Sequence, residues 1–155
     1  MNVGYREREK LVHCKLYEYR RSREEVDRYQ DRALGRGSRS FEAQIKSNVH
    51  GDPTAKAGIM LAEMPMHIAE KAAWCEVIES AWAECVLEDE GVLHGTAFVL
   101  EKNFELSGEG HAKEKNAEYR QKLCEECGIS ESTYYMRLKN ATAIVMYHAA
   151  RRGLI

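Results

Sequence analysis

Between Gly4 and Gly35 the chain contains neither glycine nor proline, and the stretch 5–34 is rich in Arg, Glu, Lys and Leu. Such side chains keep most of their rotamer freedom in a helix, and nothing in the run interrupts the i→i−4 hydrogen bonds, so it predicts one long helix. Tyr5, Val12, Tyr19, Val26 and Ala33 recur every seven residues along it. The companion position is less regular, holding Leu16 once but Glu9, Arg23 and Gln30 elsewhere. A two-stranded coiled coil requires apolar residues at both positions. Packing against another helix of the same chain is therefore the first expectation, and a low-order homodimer seam the second. Over residues 1–34 nine cations alternate with seven acids at spacings that permit i,i+4 pairs, which describes a solvated face better than a basic arm.

A composition break follows at residues 35–51, dense in Gly and Ser with a few isolated apolar residues, and predicts a linker. Its Arg36, Arg39 and Lys46 are either phosphate contacts or solubilising charges. Asp52 then stands as an N-cap with Pro53 at the first helical position, where a missing N–H costs nothing. Leu61, Met64, Ile68, Trp74, Cys75, Ile78, Trp82 and Cys85 approximate a helical stripe, and Pro65 is expected to kink or split that helix. Trp74 and Trp82 lie two turns apart and are expected to anchor it antiparallel on the first helix.

Residues 92–106 carry a further apolar set, Val92, Leu93, Ala97, Leu100 and Phe104, and predict another helix. The polar stretch 107–116 predicts a loop whose Lys113 and Lys115 are phosphate contacts or simply solvated cations. A short helical run over 118–127 then stops at Gly128, the residue best suited to the left-handed conformation that closes a helix. Two residues later Ser130 stands where an N-cap belongs, opening a second helix. On a wheel centred on Tyr134, the residues Leu138, Ala141 and Val145 fall within about 40° and form the core face. The opposite face carries Ser132, Tyr135, Met136 and Lys139, flanked by Thr133 and Asn140. Helix, glycine turn and capped second helix form a helix-turn-helix, whose second helix lies in the major groove with its N-terminal residues at base edges.

The words Gly128-Ile129-Ser130-Glu131-Ser132-Thr133-Tyr134-Tyr135 resemble the end of the phage late-operon transcriptional regulators of the ArpU/RinA type. A second match, Asp52-Pro53-Thr54-Ala55, resembles the segment that opens the central helix in that family. The resemblance covers most of the chain in order. It implies a C-terminal domain like the promoter-reading region 4 of sigma factors and a DNA-binding activator of late genes acting with RNA polymerase. One departure is Arg137, which occupies a place where many helix-turn-helix sequences are apolar, leaving Leu138 to take over the packing. Helix phase marks Ser132, Thr133, Tyr135, Met136 and Lys139 as DNA contacts, and the candidate set adds Ser130 and Arg137, with Arg151 and Arg152 holding phosphates.

The expected fold is all-α. It has a long N-terminal helix (1–34), a linker (35–51), a central kinked helix completing a helical hairpin (52–90), and a separate helix-turn-helix bundle (91–155). The formal net charge of −2 announces no nucleic-acid partner, yet its distribution is uneven: residues 59–106 hold two cations against ten acids, and residues 107–155 hold eight against six. That acidic middle is either a solvated helix face or a contact for a basic partner. The chain lacks both a membrane-spanning apolar run and a signal-peptide pattern, so a cytoplasmic location in a bacterial host is expected. Five cysteines fit a reducing compartment, and Cys124-x-x-Cys127, lying in a helix without a second pair, reads as structural thiols rather than a zinc site. Neither a phosphate loop nor a nucleophile motif occurs, so no enzyme and no cofactor are expected. Double-stranded DNA is the expected partner. A small terminase-like packaging protein and a helical protein-interaction adaptor are the competing readings.

Overall fold

The structure, a computed structural model, describes residues 4–35, 63–109 and 112–155. The described residues form five helices and no strand: α1 (Tyr5–Ala33), α2 (Met66–Asp89), α3 (Thr96–Phe104), α4 (Ala117–Cys127) and α5 (Glu131–Arg151). The fold is all-helical, as the sequence predicts. The linker and the Asp52–Pro53 start of the central helix lie outside the described residues.

The heptad row of α1 turns inward. Val12, Leu16, Tyr19, Val26 and Ala33 are buried, and Ser22 takes the inward place that a strict register gives to Arg23. Only Tyr5 of the row stays exposed, at the helix start. Across from it, α2 begins at Met66 with Pro65 as its N-cap residue, and the Pro65 carbonyl accepts from the amides of Ile68 and Ala69. Proline here starts a helix, because at this position its ring replaces no hydrogen bond.

The two long helices cross rather than lie antiparallel. Lys15 and Glu25, ten residues or about 15 Å apart on α1, pair with the adjacent Glu70 and Lys71. Between them on α1, Tyr19 donates to Glu79 at 2.9 Å and Arg23 pairs with the same carboxylate at 3.5 Å. Side-by-side helices cannot satisfy both sets of pairs, whereas a crossing near the middle of α1 does. Steep crossing frees the rest of α2 for a second partner, and α2 packs on α5 as extensively as on α1. This is why its apolar stripe is wide: Trp74, Cys75, Val77, Ile78, Ala81 and Cys85 are all buried. Trp74 anchors the crossing with the Lys15 ammonium 6.0 Å from its ring, while Trp82 is only half-buried at the edge of the core.

The helix predicted over 92–106 starts later, at Thr96, and the reason is a carboxylate. Asp89, the last residue of α2, accepts from the amides of Thr96 (2.8 Å) and Ala97 (2.9 Å), capping α3 from outside it. The chain reaches that geometry through left-handed backbone at Glu90, Gly91 and His94. Gly95 is required, since a Cβ there would stand 2.4 Å from the Asp89 side chain. Val92 and Leu93 are consequently thrown into the turn and exposed, whereas Ala97, Leu100 and Phe104 enter the core. Phe104 packs edge-on against Tyr17 (4.8 Å between centroids) and tilted against His13 (5.5 Å), joining α3 to α1.

One apolar cluster runs through all five helices, with α5 packed on α1, α2, α3 and α4. The C-terminal helices therefore share their core with the two long ones instead of forming a bundle apart. At its centre the buried Tyr134 hydroxyl donates to Asn103 Oδ1 at 2.9 Å. Tyr134→Phe leaves that buried acceptor unpaired and is expected to cost ~1–3 kcal/mol in denaturant melts; an unchanged midpoint would refute the pairing.

His13 sits where α1, α3 and α5 meet, its Nε2 3.2 Å from Thr142 Oγ1. The Thr142 hydroxyl already donates to the Leu138 carbonyl, so the imidazole N–H is the donor. Burial pulls the imidazole below its ordinary range, with Glu9 and Glu114 opposing that shift and Arg120 adding to it. A base whose folded pKa is depressed contributes stability that is present above the unfolded value and is lost as pH falls. Stability should decline as pH drops below about 6.5, and His13→Gln should flatten that part of the curve in pH-dependent melts.

Candidate nucleic-acid interface

Asn116 opens α4 by accepting from the Tyr119 amide at 2.8 Å. The helix ends at Gly128, whose φ of 66° lies in the left-handed region. Around it the Ile129 amide donates to the Cys124 carbonyl (3.1 Å) and the Gly128 amide to that of Glu125 (3.4 Å). These two bonds form the Schellman closure that lets a chain leave a helix sharply. Ile129 then packs against the core, and Ser130 caps α5 by accepting from the Thr133 amide at 3.1 Å. The order helix, glycine turn, capped helix is thus built by local bonds the sequence already encodes.

On α5 the stripe Tyr134, Leu138, Ala141 and Val145 is buried, extended by Thr142, Met146 and Ala149. Ser132, Tyr135, Met136, Lys139 and Asn140 are exposed on the other side. Lys139 has no ion-pair partner among the described residues. The same exposed line continues through Ala143 and Tyr147 to Arg151, whose guanidinium lies 5.7 Å from the Tyr147 ring.

Four residues of the predicted set are otherwise engaged. Ser130 is a cap whose hydroxyl also donates to Thr133 Oγ1 at 2.8 Å and lies 3.0 Å from Ser132 Oγ. Thr133 is accordingly half-buried and tied to that cap. Arg137 turns inward and donates to the His94 carbonyl, fixing α5 to the turn before α3. Its half-buried guanidinium thus finds an acceptor at a position where many helix-turn-helix sequences are apolar. Arg152 pairs with Glu76 of α2 at 2.6 Å. Of the first-turn amides of α5, those of Thr133 and Tyr134 are taken by Ser130, which leaves Glu131 and Ser132.

Helix phase missed Arg120. From α4 its guanidinium reaches across the turn to lie 5.7 Å from the Tyr135 ring, steadying the largest exposed side chain of the first two turns of α5. Nothing in the spacing marks this residue, because the contact depends on how α4 and α5 meet. The Cys124 thiol is buried and pushed up by that burial, while Cys127 is half-buried. Among the described residues no group of His, Cys, Asp and Glu side chains is arranged to hold a metal, and no helix is long and apolar enough to cross a membrane.

The arrangement offers directed donors, an aromatic face and an unpaired cation on a rigid helix, which suits recognition of a surface. No family model matches the sequence, and no curated protein and no solved structure matches it either.

Ser130→Ala removes the cap and should destabilise the protein by ~1 kcal/mol, whereas Ser130→Asp, which still accepts from the Thr133 amide, should stay near wild type in thermal melts. Equal losses in both variants would show that the cap contributes nothing.

Proposed function

We propose that the chain is a sequence-specific DNA-binding transcription regulator. The resemblance in its terminal residues implies a phage or prophage late-gene activator that works with RNA polymerase. The observation that carries the reading is the helix α5, rigidly capped after a tight glycine turn, with Ser132, Tyr135, Met136 and Lys139 exposed near its start opposite the buried stripe. Helix-turn-helix proteins present base-reading residues at that position of the second helix.

In this reading Ser132, Tyr135 and Met136 meet base edges, and Lys139 meets a base or a phosphate according to register. Arg151 and the free amides at the start of α5 hold phosphates. Arg137 and Arg152 act through the scaffold, since both are committed to partners within the chain. The small net charge is compatible with specific binding, because phosphate contacts need local cations rather than a basic protein.

Selection of sites from a random duplex pool, followed by titration of single variants on the selected and on unrelated DNA, tests the reading. Tyr135→Ala is expected to cost ~1–3 kcal/mol on the selected site and to relax specificity. If Lys139 contacts a phosphate, Lys139→Ala should weaken both DNAs alike and lower the salt slope by about one. A folded protein that enriches no site contradicts the proposal. A mass of eight or more subunits in sedimentation would favour a packaging ring instead.

A further inference from the structure

The corner between α2 and α3 leaves four large apolar side chains in water within eight residues of chain. Leu87 is 76% exposed and Leu93 79%, with Val86 and Val92 both more exposed than buried. Single exposed leucines are ordinary, but four exposed apolar side chains brought to one turn concentrate apolar surface in a way that marks interaction sites. The turn is held in place: the Glu90 amide donates to the Leu87 carbonyl, the Val92 amide to that of Asp89, and the Asp89 carboxylate caps α3. Presentation of these side chains is therefore built into the backbone.

The surroundings decide what covers them. Glu88 and Glu90 are exposed beside the patch, and between Lys71 and Lys102 the chain carries no lysine or arginine at all. DNA is repelled by such a rim. A second copy docking patch on patch brings the same acidic stretch, with no lysine or arginine of its own between residues 71 and 102 to offset Glu88 and Glu90. The chemistry that complements both features is a protein segment with apolar anchors flanked by lysine or arginine.

We propose that the α2–α3 corner is a docking surface for a basic amphipathic helix of another protein, with Leu87 and Leu93 as the central anchors and Glu88 and Glu90 as the charged rim. The proposal does not rest on the DNA-binding reading, because Leu87, Glu88, Glu90 and Leu93 all lie outside α5.

The test uses three synthetic helical peptides on the full chain: one with leucine on one face and lysine on the other, one with glutamate replacing lysine, and one with serine replacing leucine. Amide chemical shifts and binding titrations are read together. The leucine–lysine peptide should bind with shifts confined to residues 84–95, and the other two should not. The double variant Leu87→Ser/Leu93→Ser should bind it about tenfold or more weakly. Glu88→Gln/Glu90→Gln should weaken it and flatten the salt dependence, which keeps the test independent of the serine variant. Equal binding of the glutamate or serine peptide, shifts elsewhere, or an unchanged affinity in both double variants would overturn the proposal. So would self-association of the wild type that disappears in the serine variant, since the patch would then close on a second copy.

Discussion

Tyr134, Leu138, Ala141 and Val145 give up almost all contact with water along one face of α5, which packs on α2 and α3. Burying side chains as large as leucine or valine is worth about 1.5–3 kcal/mol each, which makes this stripe the seam on which the other helices converge. The same helix must present its opposite face outward. A helix can do both only if its phase is immovable, and three devices hold it: the Ser130 cap, the Tyr134–Asn103 bond in the interior, and Arg137 on the His94 carbonyl. The polar face of α5 is thus positioned by the core rather than by a loop, the condition under which side chains can read a rigid surface.

The acidic middle of the chain divides its work between two neighbours. Glu70 and Glu79 of α2 face cations of α1, whereas Glu76 and Glu84 meet Arg152 and His148 of α5. Pairs this exposed contribute about 0–1 kcal/mol each, so they select the crossing and the register more than they hold the fold together. Burial does the holding. It also silences the interior thiols, with those of Cys75 and Cys85 pushed up to about 12 by loss of solvent, so neither is a thiolate at neutral pH.

The turn between α2 and α3 shows how one carboxylate changes the use of a whole segment. Asp89 ends one helix and caps the next, and the lack of a side chain at Gly95 is what lets its carboxylate approach. Had α3 begun at Val92, as apolar spacing alone predicts, Val92 and Leu93 would be core residues. Capping moves the start to Thr96 and turns both into surface.

Local features were legible in the residues themselves. The uninterrupted α1, the Gly128 stop, the Ser130 cap and the Tyr134 stripe each arise from backbone sterics, side-chain hydrogen bonding within four residues, or the 3.6-residue period, and none needs knowledge of a distant partner. Tertiary structure decided the rest. The steep crossing of α1 and α2, the single core that joins the C-terminal helices to them, the half-exposure of Trp82 and the inward turn of Arg137 all depend on residues far apart in the chain. Arg120 is the clearest instance, since its place over Tyr135 follows from the way α4 and α5 meet, and no period in either helix encodes that meeting. Short-range bonds are written in sequence spacing; which helix covers which face is settled only when burial of all five is satisfied at once.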